Sequence, residues 1–303
     1  NADFVASELK EQGGIVAFDV FHQGVRLGRI ELGVPGRHNV LNALAAIALA
    51  HECGVAFSAI SHALSTFAGA RRRFETKYLS SRLRIVDDYG HHPTELAATL
   101  QTARSLGPKR LVVLFQPHRY SRTQKLADDF GKVLQEADRV FVADIYAASE
   151  LPIDGVSGQT IVDAVHNNGT VRAEVVGTVD QAHHAVGNAL QEGDMLITLG
   201  AGNVHEAGAK IARDQKVLED ILGECGSGNA KVALYEPMRK HTTMLVGGPA
   251  QFWVEPGTFE CFARAVKYCR DRGIPVRVVG RGSNLLVRDG GIRGVVIHPA
   301  RGA

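Results

Sequence analysis

The sequence predicts an α/β protein built on a Rossmann-like parallel sheet, with a second, partial α/β unit behind it. Three observations carry that expectation. Between residues 83 and 199, short apolar runs alternate with longer segments of helical period. That is the pattern of βαβ units, whose right-handed crossovers produce a parallel sheet. At 303 residues the chain exceeds one ordinary core, so more than one domain is expected. A polar, glycine-containing stretch around residues 223–229 then separates two textures and reads as a linker.

In chain order, the apolar runs Ile15-Val16-Ala17-Phe18, Val25-Arg26-Leu27 and Ile30-Glu31-Leu32 are broken by glycines and suit a β-meander over 13–34, closed by Pro35-Gly36. From His38 the period changes: Val40, Leu41, Leu44, Ala45, Ile47 and Ala48 recur at helical spacing, with Gly54 as the stop. A second helix over 58–67 leads to Gly69 and the basic run Arg71-Arg72-Arg73. Strands are then expected at 83–86, 110–115, 139–144, 174–176 and 195–199, separated by helices at 94–106, 123–136, 160–166 and 179–190. Beyond the linker, 259–272 is an amphipathic helix, 276–279 a strand, and 294–297 a closing strand.

The balance of 34 basic against 32 acidic residues leaves no excess of charge to neutralise a phosphate backbone, so no nucleic-acid partner is expected. No apolar run approaches the length of a bilayer span, so no membrane span is expected either. Cys53, Cys225, Cys261 and Cys269 form no paired motif and read as free thiols of a cytoplasmic protein. The chain begins at Asn and reads as a piece of a longer one.

Two clusters follow strand-like runs, where α/β proteins keep their chemistry. Asp87-Asp88-Tyr89-Gly90-His91-His92-Pro93-Thr94-Glu95 combines carboxylates and imidazoles. It allows a metal site, a nucleotide or substrate site, or a plain cap in which His91-His92-Pro93-Thr94 closes the start of the following helix and the acids are solvated. Pro93 breaks the spacing that a continuous ligand helix needs. In Phe115-Gln116-Pro117-His118-Arg119-Tyr120-Ser121-Arg122, Arg119 and Arg122 share one face if a helix has begun. Guanidinium groups sit poorly at a positive helix terminus, and an anionic ligand explains them. His38-Asn39 with Asn42 opens the first helix, as a cap or as a set of groups that read a base. Gly200-Ala201-Gly202-Asn203 hints at phosphate approach but lacks the full dinucleotide fingerprint, and Gly280-Arg281-Gly282-Ser283-Asn284 suits backbone N–H contacts with a pyrophosphate.

Taken together, these segments resemble the Mur ligase family, most closely its alanine-adding member. The resemblance runs from Pro35-Gly36 and His38-Asn39-Val40 through Gly69, Arg72-Arg73-Phe74-Glu75, both clusters, Asp144-Ile145-Tyr146-Ala147-Ala148 and Gly200-Ala201-Gly202-Asn203. It implies ATP-dependent amide formation in peptidoglycan precursor synthesis. The carboxylate of UDP-N-acetylmuramate is phosphorylated, L-alanine attacks the acyl phosphate, and Mg2+ bridges the phosphates. By the same resemblance His38, Asn39 and Asn42 would read the adenine, and Arg73 would hold a phosphate and stabilise developing charge. Asp88 would bind the ribose, and His91 would lie near the reacting centre. His118, Arg119 and Arg122 would hold the alanine carboxylate. No metal-ligating side chain is assigned.

Residues from His241 onward, through His241-Thr242-Thr243, Gly247-Gly248-Pro249-Ala250 and Gly280 to Ile297, resemble the start of the UDP-N-acetylenolpyruvoylglucosamine reductase family. This implies an FAD site at Gly280, Gly282, Ser283, Asn284 and Leu285, and an NADPH-using reduction that makes UDP-N-acetylmuramate. The expected organisation is the end of a central ATP-binding domain (1–70), a Rossmann-like C-terminal ligase domain (71–215), a linker (216–240) and the start of a partial FAD-binding α+β domain (241–303). Without the phosphate-loop domain, this chain alone is expected to be inactive. Two rivals stand beside this reading: a metal-dependent hydrolase using Asp87, Asp88, His91 and His92, and a non-catalytic nucleotide-binding module.

Overall fold

The meander expected over 13–34 is a three-stranded antiparallel sheet of β1 (Phe4–Gln12), β2 (Ile15–His22) and β3 (Val25–Leu32), in that order. Alternation puts Val16, Phe18 and Val20 of β2 and Ile30 and Leu32 of β3 on one buried face. Two details differ from expectation. β1 lies where no strand was expected, because its side chains are mostly exposed or half-buried and its apolar alternation is blurred. The runs around Val25 and Ile30 form one strand that passes through Gly28, whose missing side chain leaves room for the Phe57 ring. The helices α1 (Arg37–Glu52) and α2 (Phe57–Thr66) close this core with Val40, Ala43, Ile47 and Ile60.

The computed structural model describes residues 2–12, 14–226 and 228–299. Asn1 and Gly13 of the expected first domain, Ser227 of the expected linker and residues 300–303 of the expected flavin domain lie outside the described residues.

The expected parallel sheet is present, with six strands: β4 (Glu75–Leu79), β5 (Leu83–Asp88), β6 (Arg110–Phe115), β7 (Arg139–Ala143), β8 (Arg172–Gly177) and β9 (Asp194–Leu199). Their order is β4-β5-β9-β6-β7-β8. β5, β9, β6 and β7 run parallel, and β4 pairs antiparallel with β5 at the edge. The helices α3 (Pro93–Ser105), α4 (Tyr120–Val133) and α5 (Gly158–Asn168) bury Leu96, Leu100, Phe130, Ile161 and Val165 against Val86, Val113, Val140 and Ile197 of the strands. Because β9 inserts between β5 and β6, the carboxyl ends of these three strands are neighbours: Asp88 pairs with Leu199, and Leu199 with Phe115. Open α/β sheets bind ligands at such ends. Both sequence clusters and the Gly200–Asn203 turn therefore emerge side by side.

The chain divides into two compact units, one running up to Val175 together with Gln191–His205, the other Val176–Leu190 together with the residues from Glu206 onward. The division differs from the expected boundaries. Residues 2–70 share a unit with the six-stranded sheet, whereas α6 (Val179–Ala189) and α7 (His205–Cys225) fall almost wholly in the second unit. The expected linker over 216–240 is instead ordered structure. α7 continues to Cys225, burying Leu218 and Ile221, and β10 (Ala230–Pro237) follows. β10 joins β11 (Pro249–Pro256), β12 (Val276–Val278) and β13 (Ile292–Ile297) in the order β10-β11-β13-β12. β10 pairs antiparallel with β11, and β13 runs parallel to both of its neighbours. The amphipathic helix α8 (Phe259–Asp271) lies between β11 and β12 in sequence, as expected.

The four free thiols are not borne out. Cys225 at the end of α7 and Cys261 in the first turn of α8 are both buried and form a disulfide, leaving Cys53 exposed and Cys269 buried as free thiols. Spacing could not show this, since 36 residues and a strand pair separate the partners. Among the described residues no helix is long and apolar enough to cross a membrane.

Candidate active site

The two adjacent aspartates at the end of β5 point to opposite tasks, as alternation along a strand requires. Asp87 is 1% exposed and takes a hydrogen bond from Arg72 Nε at 3.0 Å and another from the Thr198 hydroxyl at 2.7 Å. The Arg72 guanidinium also donates to the carbonyls of Gly200, at 2.6 Å, and Gly202, at 3.0 Å. Arg72 thus pins the turn after β9 to β5. That turn was expected to approach phosphate; its Gly200 N–H donates to Asp88 O at 3.2 Å, and its glycines are set by close packing on Gln116 and Tyr146.

Asp88 faces a cavity of about 580 Å3. Its two carboxylate oxygens accept from Phe74 N at 2.8 Å and Gly90 N at 2.7 Å. Burial pushes its pKa up, against the pull of those two N–H groups and of Arg73. The same cavity is lined by His38, Asn39 and Asn42 from the first turns of α1 and by Arg73. All five residues expected to receive a nucleotide therefore converge. Gly36 before α1 offers no side-chain cap, so His38 and the two asparagines are not the cap of their own helix. Asn39 donates to Pro35 O at 2.7 Å and Asn42 to Asn39 Oδ1 at 3.2 Å, which aligns the two amides. Burial lowers the pKa of His38, with Asp88 pulling the other way. The Arg73 side chain is 55% exposed and lies 3.7 Å from Glu95, free enough to meet an anion.

The capping reading of the first cluster holds for part of it. α3 starts at Pro93, the His92 ring accepts from Thr94 N, and the Glu95 carboxylate accepts from His91 N at 2.9 Å and His92 N at 3.2 Å. His91 is left outside this cap. Its Nδ1 lies 3.1 Å from Tyr89 O and 3.3 Å from Glu95, and its ring is 5.4 Å from that of His118.

His118, Arg119 and Arg122 lie at the start of α4. Arg122 Nη1 lies 3.3 Å from His118 Nδ1, and burial together with His91, Arg122 and Arg119 lowers the His118 pKa. A second, shallower cavity of about 350 Å3 is lined by His92, Arg119, Ser121, Arg122 and Lys125. Arg119 has φ 71 and ψ 139, a backbone region that non-glycine residues seldom adopt. It is held there by its N–H to Tyr146 O at 2.8 Å and by Thr123, whose N–H and hydroxyl both donate to Arg119 O. Glu150 fixes Ser121, two residues on, accepting from its N and Oγ at 3.0 and 2.6 Å.

Sequence reasoning missed Arg72, which no local signal separates from Arg71 and Arg73. It also missed Gln116, which joins β6 to the turn after β9 through Asn203 and Val204 N. The hydrolase rival loses its basis here. Asp87 is committed to Arg72 and Thr198, and among the described residues no three side chains of metal-binding type converge.

The five Gly280–Leu285 residues expected at a flavin lie in the second unit, between β12 and β13. Gly282 has φ 65 and packs on the His241 backbone, so glycine is required there by the fold. Gly280 has open space where a side chain would be, and Ser283 and Asn284 are exposed. Leu285 turns toward the core of Trp253, Val287 and Val296, so only its backbone is available to a ligand.

A mostly parallel sheet with imidazoles, a buried carboxylate and arginines at its carboxyl ends defines an α/β domain with its chemistry-bearing side chains where such sheets bind ligands. Comparison with known proteins gives the family. Residues 72–202 match the Mur ligase, glutamate ligase domain, and residues 250–301 match an FAD binding domain. The chain therefore carries a Mur ligase domain followed by an FAD-binding one. It is 47% identical over 210 residues to the UDP-N-acetylmuramate–L-alanine ligase of Solibacter usitatus, covering 69% of this chain and 44% of that protein. To its counterpart from a Geobacter species it is 45% identical, covering 68% and 45%. The crystal structure of UDP-N-acetylmuramate–alanine ligase from Thermotoga maritima superposes with a TM-score of 0.61 at 29% identity, covering 71% of this chain and 46% of that one. The chain thus spans under half the length of the ligases it matches.

Proposed function

We propose that this chain is the nucleotide- and amino-acid-receiving part of an ATP-dependent UDP-N-acetylmuramate–L-alanine ligase, joined to an FAD-dependent reductase. The observation that carries the ligase reading is the convergence of His38, Asn39, Asn42, Arg73 and Asp88 on one cavity, from segments up to 50 residues apart (88 − 38). Two aligned amides suit the donor and acceptor edge of adenine. The lone pairs that Asp88 keeps beyond its two backbone donors suit ribose hydroxyls. Arg73 supplies a mobile positive charge for a phosphate and for the charge that develops as the acyl phosphate is attacked. At the second cavity Arg119 and Arg122 would take the L-alanine carboxylate and hold the amine toward the acyl group. The His91 and His118 rings lie 5.4 Å apart, and His91 would stand near the reacting centre as the group that takes the proton the attacking amine sheds. Mg2+ would be carried by the ATP phosphates, since among the described residues no three metal donors converge to hold it.

In the second unit, Gly280, Gly282, Ser283 and Asn284 would hold the pyrophosphate of FAD. The open space at Gly280 is what a backbone approach by such a group needs. Bound FAD would supply hydride transfer from NADPH to the enolpyruvyl substrate. The two activities are consecutive, since the reductase product is the ligase substrate, and a cytoplasmic location suits both. Phosphate release by the whole protein, with ATP, UDP-N-acetylmuramate and an amino acid, tests the ligase reading. Release that requires L-alanine supports it; release with glutamate but not alanine overturns it.

A further inference from the structure

A second polar cavity, of about 510 Å3, lies within the C-terminal unit and has no part in the reactions above. Its floor is a closed network. Tyr235 on β10 donates to Asp214 on α7 at 2.5 Å, Gln251 on β11 donates to the same carboxylate at 3.2 Å, and the Gln251 amide oxygen accepts from Gly294 N at 2.9 Å. These neutral donors satisfy one oxygen of Asp214 and leave its single negative charge in place.

The rim has the opposite character. Lys210 is held by Asp180 at 2.6 Å, but among the described residues Arg213 on α7 and Arg293 on β13 form no salt bridge. Two guanidinium groups from different elements thus flank one concavity against the single carboxylate of Asp214, leaving an excess of positive charge. On α6, His183 and His184 complete the wall, and the Nδ1 atom of His183 is buried without a hydrogen-bond partner. A buried polar atom without a partner is costly and asks for an occupant. Burial, with His184 and Lys210 nearby, lowers the His183 pKa to about 4, so at neutral pH it adds a hydrogen-bonding group and no charge.

We propose that this cavity binds a small phosphate- or diphosphate-bearing metabolite, its anionic group held by Arg213 and Arg293 and hydrogen-bonded by His183. The volume suits a molecule of nucleotide size. The site also has a distinctive origin. His183 and His184 lie within the stretch that matches the Mur ligase domain, Gln251 and Arg293 within the FAD-binding match, and Arg213, Asp214 and Tyr235 in neither. It therefore exists only where the two domains share a chain, and it stands apart from the ligase and reductase chemistry.

The test uses pyrophosphate and inorganic phosphate as probes, titrated into the full chain carrying Arg73→Ala, which removes the other phosphate-seeking arginine. Calorimetry measures affinity, and the histidine ring NMR signals, assigned by loss in His183→Gln and His184→Gln, locate the ligand. Binding should shift those two signals, and Arg213→Ala or Arg293→Ala should each weaken it about tenfold or more, the value of a charge-assisted contact. Arg270→Ala, on the exposed face of α8, should leave it unchanged. Both arginines are exposed, so their removal spares the fold. No binding at millimolar probe, affinity indifferent to both arginines, or unmoved His183 and His184 signals would each overturn the proposal.

Discussion

Replacing Arg72 by alanine isolates what holds the site together. Arg72 is 20% exposed at its side chain and Asp87 1%, with Nε and Oδ2 3.0 Å apart. Truncation leaves Asp87 buried with only the Thr198 hydroxyl, and frees the carbonyls of Gly200 and Gly202. Breaking a buried ion pair from one side costs about 3–5 kcal/mol. The partial exposure of Arg72 admits water to the gap and places this loss at the lower end, about 3 kcal/mol. Urea unfolding followed by far-UV circular dichroism is the assay, because the sole tryptophan, Trp253, belongs to the other unit. Pairing Arg72→Met with Asp87→Leu should recover most of the loss, since no buried charge then remains. A loss below about 1 kcal/mol for Arg72→Ala, the value of a surface pair, would refute the reasoning.

Other outcomes follow from the same geometry. In the whole protein, Arg119→Ala should raise the KM for L-alanine about tenfold to a hundredfold, as expected for losing a charged hydrogen-bond partner; an equal rise in the KM for ATP would remove the carboxylate role. His183, lowered to about 4 against 6.5 in an unfolded chain, is protonated in the unfolded state first as pH falls. The C-terminal unit should therefore lose stability between about pH 6.5 and pH 4, seen as a falling urea midpoint of Trp253 fluorescence, and His183→Gln should flatten that slope. Reducing the Cys225–Cys261 bond should lower the stability of the same unit by about 2–4 kcal/mol, and an unchanged midpoint with dithiothreitol would deny it a structural role. Thiol titration of the native protein should find Cys53 fast and Cys269 slow, because burial pushes the Cys269 thiol up to about 11.

What the sequence revealed tracks where the physics is local. β6 is legible because Arg110–Phe115 is buried almost throughout, and α3 because Pro93 and Glu95 mark its start. β4, with the exposed pattern of Glu75–Leu79 at a sheet edge, carries no apolar period and was missed. α7 was not expected, and its last residues fell in the expected linker because Gly223 and the glycines after it resemble a tether. Its closing turn is held by long-range packing and by a disulfide to α8, neither of which leaves a local trace. At the site, the residues proposed to face ligand were legible from motifs that cluster behind strands. Arg72 and Gln116 were not, because their work is done on the Gly200–Val204 turn, more than 80 residues away.

The backbone of Arg119 bears on how such a protein can be improved. Its φ of 71 with ψ of 139 lies in glycine territory, at a cost of about 1–3 kcal/mol for any other residue. Arg119→Gly would relieve that cost, so a screen for heat resistance alone would favour the variant that lacks the proposed carboxylate clamp. Activity at this turn is bought with robustness, and a directed-evolution scheme has to select for turnover to keep it.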